Sequence, residues 1–208
     1  MLKQIKQHSI VAAIIPLLII VFLFTGCTGI GLPIIGSSYT QSENKIGVPD
    51  YLIVKFYEVY RGGQPTSKGF EYLKKINIKT IVKLNSDNLE QERREAKKLN
   101  MNLEMDLIEP DNLLNMSIIP DQFQVSKAMK TIMNHYNWPI YVHCKNGWDR
   151  TGLIIAMYRV CHDNYSKEDA YNEMIMNGFS SSHRVLLTGI QEYWDKFDVN
   201  ICENWRSK

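Results

Sequence analysis

Cysteine is scarce in this chain, and neither sign of charge dominates it. Four cysteines in 208 residues are too few to build the disulfide scaffold that holds small exported domains together. None stands in a C-x-x-C spacing, so His135, His162, His183 and these cysteines do not read as a zinc site. The 24 basic residues nearly balance the 22 acidic ones and are scattered along the chain, which argues against a nucleic-acid surface. No internal repeat is present. The charged run Q-E-R-R-E-A-K-K-L-N, residues 91–100, reads as the solvated face of a helix.

The one long apolar stretch lies at the start. Lys3 and Lys6 precede fifteen mainly apolar residues from Ile10 to Phe24, followed by Thr25-Gly26-Cys27. This is the pattern of a secretory signal, and its end resembles a bacterial lipobox, in which the cysteine is lipidated and becomes the mature N-terminus. Phe24 departs from the aliphatic residue usual three places before that cysteine. The alternative is an uncleaved membrane anchor, although the run falls short of the roughly twenty residues that span a bilayer. Residues 1–26 are therefore expected to be a signal peptide of lipoprotein type or an anchor. Residues 27–50, mixed in Gly, Ser, Pro and polar side chains, are expected to be a flexible tether. Either reading places the rest of the chain outside the cytoplasm, membrane-tethered at the periplasmic or cell surface. Loss of residues 1–26 removes two lysines and no acid, which leaves a formally neutral chain.

Residues 51–200 are long enough to bury a sound core as a single domain. Strands are predicted at about 52–60, 79–84, 102–107 and 139–143, with helices at about 67–75, 88–99 and 120–136. Only helices follow, near 151–162, 166–177 and 184–197, and Ser166 before Lys-Glu-Asp is a capping signal. Alternating elements predict an α/β fold, a central sheet with helices on both faces.

The stretch Y-V-H-C-K-N-G-W-D-R-T-G, residues 141–152, falls between the last predicted strand and an apolar helix. Backbone N–H groups of a loop that feeds a helix N-terminus converge on one spot, and the helix dipole adds partial positive charge there, so the spot suits anions. One such anion is the Cys144 thiolate, the nucleophilic form of a cysteine. The other is the substrate, because the Arg150 fork matches phosphate oxygens two at a time. Gly147 lets the backbone close around an oxyanion, His143 can orient the loop by hydrogen bonding, and Thr151 places a hydroxyl near the sulfur. Open α/β sheets bind ligands at the carboxyl ends of their strands, which is where this loop stands.

The pattern H-C-x-x-G-x-x-R-T-G, filled by His143, Cys144, Gly147, Arg150, Thr151 and Gly152, resembles the phosphate-loop signature of cysteine-dependent protein tyrosine and dual-specificity phosphatases. The segment 59–85, with Y-R-G-G-Q-P before a helix and a strand, is similar to the amino-terminal region of small bacterial members, so the resemblance covers about residues 51–197. Asn85 departs from it, since those relatives often carry a basic residue there. The resemblance implies hydrolysis of phosphate monoesters, such as phosphotyrosine in proteins, through a phosphocysteine, with no metal and no cofactor. It makes Cys144, Arg150 and an acid catalytic, and His143, Lys145, Asn146, Gly147, Trp148, Asp149, Thr151 and Gly152 the loop that binds the substrate. It also implies that Thr151 stabilises the returning thiolate. Asp111 is the expected acid, because its distance before Cys144 is similar to that in dual-specificity phosphatases. Asp106 and Glu109 stand closer to the strand. Asp149 competes, since G-W-D-R-T also resembles the loop of myotubularin-type phosphoinositide phosphatases, and with it comes the alternative of a phosphoinositide or inositol phosphate substrate. Lys145 adds a positive charge that Asp149 could brace.

Two other classes share a thiol beside an arginine. A phosphate-binding module without turnover needs the arginine but not the nucleophile, and the Arg-Thr-Gly frame argues against a rhodanese-like sulfur transferase. Of the remaining cysteines, Cys161 is predicted about 15 Å along the helix from the loop, too far to pair with Cys144. A Cys161–Cys202 disulfide stays open.

Overall fold

The computed structural model describes residues 45–109, 119–181 and 188–206. The expected signal segment, Cys27, most of the expected tether and Asp111 lie outside the described residues.

Strand β1 (Leu52–Lys55) and strand β2 (Val59–Gly62) pair antiparallel, where the sequence predicts a single strand over 52–60. The turn between them places Tyr57 at φ 62° and closes with Glu58 N–H donating to the Lys55 carbonyl at 3.1 Å. Nothing in L-I-V-K-F-Y-E-V-Y announces this, because its residues are nearly all strand formers. Phe56 and Tyr57 are left exposed at the tip.

Helix α1 (Ser67–Lys75), strand β3 (Thr80–Lys83), helix α2 (Leu89–Lys98), strand β4 (Asn102–Met105), helix α3 (Gln122–Met133) and strand β5 (Ile140–His143) follow. The sheet order is β1-β2-β5-β3-β4, with β5 in the centre and parallel to both of its neighbours. Parallel pairing requires crossovers, and the three helices supply them. The side-chain period of two divides the core. Val59, Val82, Ile140 and Val142 face α3 and the carboxy-terminal helices, while Tyr60, Ile81 and Tyr141 pack with Phe70, Leu73 and Ala96 of α1 and α2. β2, β3 and β5 are buried along their whole length, as strands covered on both faces must be.

Helix α3 begins where the Asp121 carboxylate accepts from Gln124 N–H. It ends at Met133, earlier than the predicted 136, and a 3-10 turn at His135–Asn137 continues the chain. Helix α4 (Asp149–His162) starts two residues before the predicted position and is buried from Thr151 through Tyr158, which explains why its sequence is apolar on all sides. Helix α5 (Lys167–Met176) is capped by Ser166, as its sequence signals. Helix α6 (Thr188–Lys196) and a 3-10 turn at Val199–Asn204 complete the described fold. A disulfide joins Cys161 of α4 to Cys202 of that turn, with Cα atoms 5.2 Å apart.

Candidate active site

The central strand β5 ends at His143 and α4 begins at Asp149, so the loop from Cys144 to Trp148 stands at the carboxyl edge of the sheet. Cys144 is 4% exposed and is the only free cysteine among the described residues. The segments that follow both neighbouring strands hold the end of β5 and the loop. Leu84 N–H donates to the His143 carbonyl at 2.9 Å, and Gln64 N–H donates to the Lys145 carbonyl at 3.0 Å. Gly147 sits at φ 82°, and a Cβ on it would lie 2.4 Å from the Gly62 carbonyl carbon. Only glycine fits there, for conformation and for space.

Arg150 occupies the first turn of α4 and reaches toward the residues that follow β4. Its Nε donates to the Ile108 carbonyl at 2.7 Å and its Nη2 to Glu109 Oε2 at 3.3 Å. Glu109 also accepts from Ser86 N–H, so the guanidinium is braced from a fixed carboxylate with its remaining edge unclaimed by these bonds. Trp148 turns to the other flank, where its Nε1 donates to Asp50 at 2.7 Å beside a cleft of about 390 Å³. Lys145 and Asn146 are exposed on the rim, and Lys145 Nζ lies 4.0 Å from Asp87. Asn85 is 1% exposed; it donates to Gln64 and Asp87 and so ties the segments after β2 and β3 together.

Beneath the loop, His143, Glu92 and Lys83 form a buried charge network. Lys83 Nζ lies 2.5 Å from Glu92 Oε1, and His143 Nε2 lies 3.1 Å from Glu92 Oε2, an ion-pair distance rather than an aligned hydrogen bond. The three side chains are at most 2% exposed. His143 therefore acts on the loop from below and presents no surface to a ligand. Glu92 belongs to the run expected to be a solvated helix face; that expectation fails at Glu92 and Ala96, which α2 turns inward. Thr151 and Gly152 are also buried, and the Thr151 hydroxyl has no hydrogen-bond partner among the described residues.

A second arginine, Arg61 at the end of β2, is 2% exposed and donates from Nη2 to the Gly147 carbonyl at 2.6 Å. Burial holds its pKa below the usual arginine value, against the opposing pull of Glu173 and Cys144. Tyr141 donates to the Gly63 carbonyl at 2.6 Å, and burial, with the nearby Cys144 and Glu92, pushes its phenol well above its ordinary value. Of the carboxylates near the loop, Asp106 is 1% exposed and 2.9 Å from Lys127 Nζ, while Glu109 is engaged with Arg150. Asp149 opens α4. Among the described residues, no group of three His, Cys, Asp or Glu side chains is placed to hold a metal ion.

Residues 49–207 match the sequence profile of the tyrosine phosphatase family. The chain belongs to that family. It is 27% identical over 125 residues to the dual specificity protein phosphatase TpbA of Pseudomonas aeruginosa, covering 58% of this chain and 51% of that one. It is also 27% identical over 101 residues to the inositol diphosphatase DSP3 of Arabidopsis thaliana, covering 49% of each. The chain thus spans about half the length of these relatives. Its fold resembles the catalytic core of the PP-IP phosphatase SIW14 of S. cerevisiae, with a TM-score of 0.62 at 20% identity over 76% of this chain and 91% of that one.

Proposed function

We propose that this tyrosine phosphatase family member hydrolyses phosphate monoesters through a phosphocysteine on Cys144, with phosphotyrosine in proteins as the first substrate class. The observation that carries the reading is the placement of Cys144 at the base of a loop pinned by the segments after β2 and β3, six residues before an arginine that Glu109 and Ile108 hold in place. The Cys144 sulfur attacks phosphorus, and the bond from phosphorus to the ester oxygen breaks as that oxygen takes a proton from the acid. Loop N–H groups and Arg150 hold the non-bridging oxygens. Water then attacks phosphorus with its proton passing to the carboxylate, and the sulfur leaves as thiolate. Thr151 can donate its otherwise unmatched hydroxyl to that sulfur.

Asp111 is the acid in this reading and Asp149 its competitor. With an alkyl phosphate, Asp111→Asn should cost about 10² to 10⁴ in rate, while an aryl phosphate, whose leaving group needs little protonation, should lose far less. Asp149→Asn should slow both substrates about equally, and the opposite pattern in the two variants would move the role to Asp149. An inositol phosphate or phosphoinositide is the second substrate class, supported by the name of the Arabidopsis relative. The deciding experiment measures phosphate release from phosphotyrosine peptides and inositol phosphates, ranked by kcat/KM, with Cys144→Ser as control. Turnover that survives Cys144→Ser would overturn the mechanism. We further propose that residues 1–26 direct export and that Cys27 carries a lipid, so that Cys27→Ser releases the protein from membranes. The Cys161–Cys202 disulfide fits an oxidising compartment.

A further inference from the structure

Arg61 is the bulkiest of the fully buried side chains among the described residues. A guanidinium in the interior is costly unless a carboxylate pairs with it. The two carboxylates whose charge acts on it are engaged elsewhere: Glu173 takes both of its bonds from Arg159, and Asp50 accepts from Trp148. Arg61 Nη1 has no hydrogen-bond partner among the described residues. Among the described residues, the one side-chain hydrogen bond that Arg61 makes is short and falls on the phosphate loop, at the Gly147 carbonyl.

That bond fixes a direction. A trans peptide is planar, so its C=O and the next N–H point to opposite sides. Drawing the Gly147 carbonyl to Arg61 turns the Trp148 N–H the other way, away from Arg61. The positive φ of Gly147 lets consecutive N–H groups converge in the manner of an anion-binding nest. Arg61 comes from β2, on one side of β5, whereas Arg150 is held by residues that follow β4, on the other. The two arginines therefore approach the loop from opposite flanks.

We propose that Arg61 is a positioning residue of the phosphate loop. Its guanidinium ties down the Gly147 carbonyl so that the loop N–H groups face the phosphoryl oxygens, and the anionic sulfur and phosphoryl group add to the more distant charge of Glu173 and Asp50 in balancing its own. The proposal rests on the phosphatase reading and adds to it a second arginine that never touches the substrate.

The test compares the full chain with Arg61→Met, which removes charge and fork, and Arg61→Lys, which keeps the charge alone. Each is measured for kcat and KM on an aryl phosphate, for tungstate affinity, and for the rate of Cys144 alkylation by iodoacetamide at neutral pH, with thermal melting as a check on folding. Arg61→Met should lose about 10² in kcat/KM, the scale of a misplaced catalytic frame. Its tungstate binding and alkylation should each fall on the order of tenfold. Arg61→Lys should alkylate near the wild-type rate yet stay well below it in kcat. A folded Arg61→Met with kcat/KM and tungstate affinity within about twofold of wild type would overturn the proposal, since that is less than one lost hydrogen bond is worth. So would equal alkylation defects in Lys and Met variants that simply track melting temperature. If Arg61→Met does not fold, Arg61→Lys decides alone, and wild-type kcat from it overturns the proposal. If the wild type itself releases no phosphate, the phosphatase reading falls, and tungstate binding and alkylation still decide the role of Arg61.

Discussion

Thr151 and Glu92 show how buried polar groups serve the loop at the scale of single residues. A buried hydroxyl without a partner costs stability, so Thr151, wholly buried and unmatched among the described residues, is cheap to replace in the resting fold and, in the proposed mechanism, assists when sulfur leaves phosphorus. Thr151→Val keeps the shape and removes the donor. It should leave urea unfolding unchanged or slightly improved, while lowering kcat about tenfold and raising the burst of leaving group that marks a slower second step. A burst no larger than wild type would deny Thr151 that role. Glu92 has the opposite character, because it neutralises Lys83 and faces His143 out of water. Removing one partner strands a buried charge, so Glu92→Gln should cost about 3–5 kcal/mol in urea unfolding. The loop that carries Cys144 and Arg150 between β5 and α4 is legible in the sequence because its pattern lies within one short stretch. Arg61 and Glu92 are not, since each meets the loop only after distant strands take their places, and no local pattern says that β2 and β3 flank β5.

The same limit holds for elements. β3, β4 and β5 fall on short runs predicted as strands between helical patterns, and Ser166 marks the start of α5. The β1–β2 turn did not stand out, because strand-forming residues fill it. Side-chain bridges between elements were equally silent. Arg159 of α4 donates to Glu173 of α5 through Nε and Nη2, at 2.8 and 3.1 Å, and to Asp163 through Nη1 at 2.7 Å, clamping the two helices together behind the loop. Burial alone would raise the Asp163 pKa, yet the bonds from His162 and Arg159 outweigh it and hold the carboxyl below its ordinary 3.8. A carboxylate with a depressed folded pKa stabilises the fold fully above its unfolded value, and that contribution disappears as pH falls through the folded value. Asp163→Asn should therefore cost about 1.5 kcal/mol at neutral pH, and the gap from wild type should close in melts below pH 3.8. A gap that persists in strong acid would assign the loss to packing instead.

For the whole molecule, the Cys161–Cys202 disulfide ties α4, the helix that begins at the phosphate loop, to the last described turn across 41 residues. Replacing both cysteines with alanine should lower stability by about 2–4 kcal/mol. Aryl phosphatase activity at low temperature should be kept, because the bond lies at the far end of α4 from Cys144. Dithiothreitol should lower the melting point of the wild type and leave the double variant unmoved. The same covalent bond also determines how the protein meets peroxide. With Cys161 and Cys202 committed to each other, Cys144 has no free thiol beside it among the described residues. Among the described residues, a sulfenic acid formed on Cys144 therefore has no free thiol with which to close into a protective disulfide. Capture by a small thiol from outside, or condensation with a backbone nitrogen, is then what keeps it from advancing to the sulfinic form, so recovery of this enzyme from oxidant should depend on the reductant that its surroundings supply.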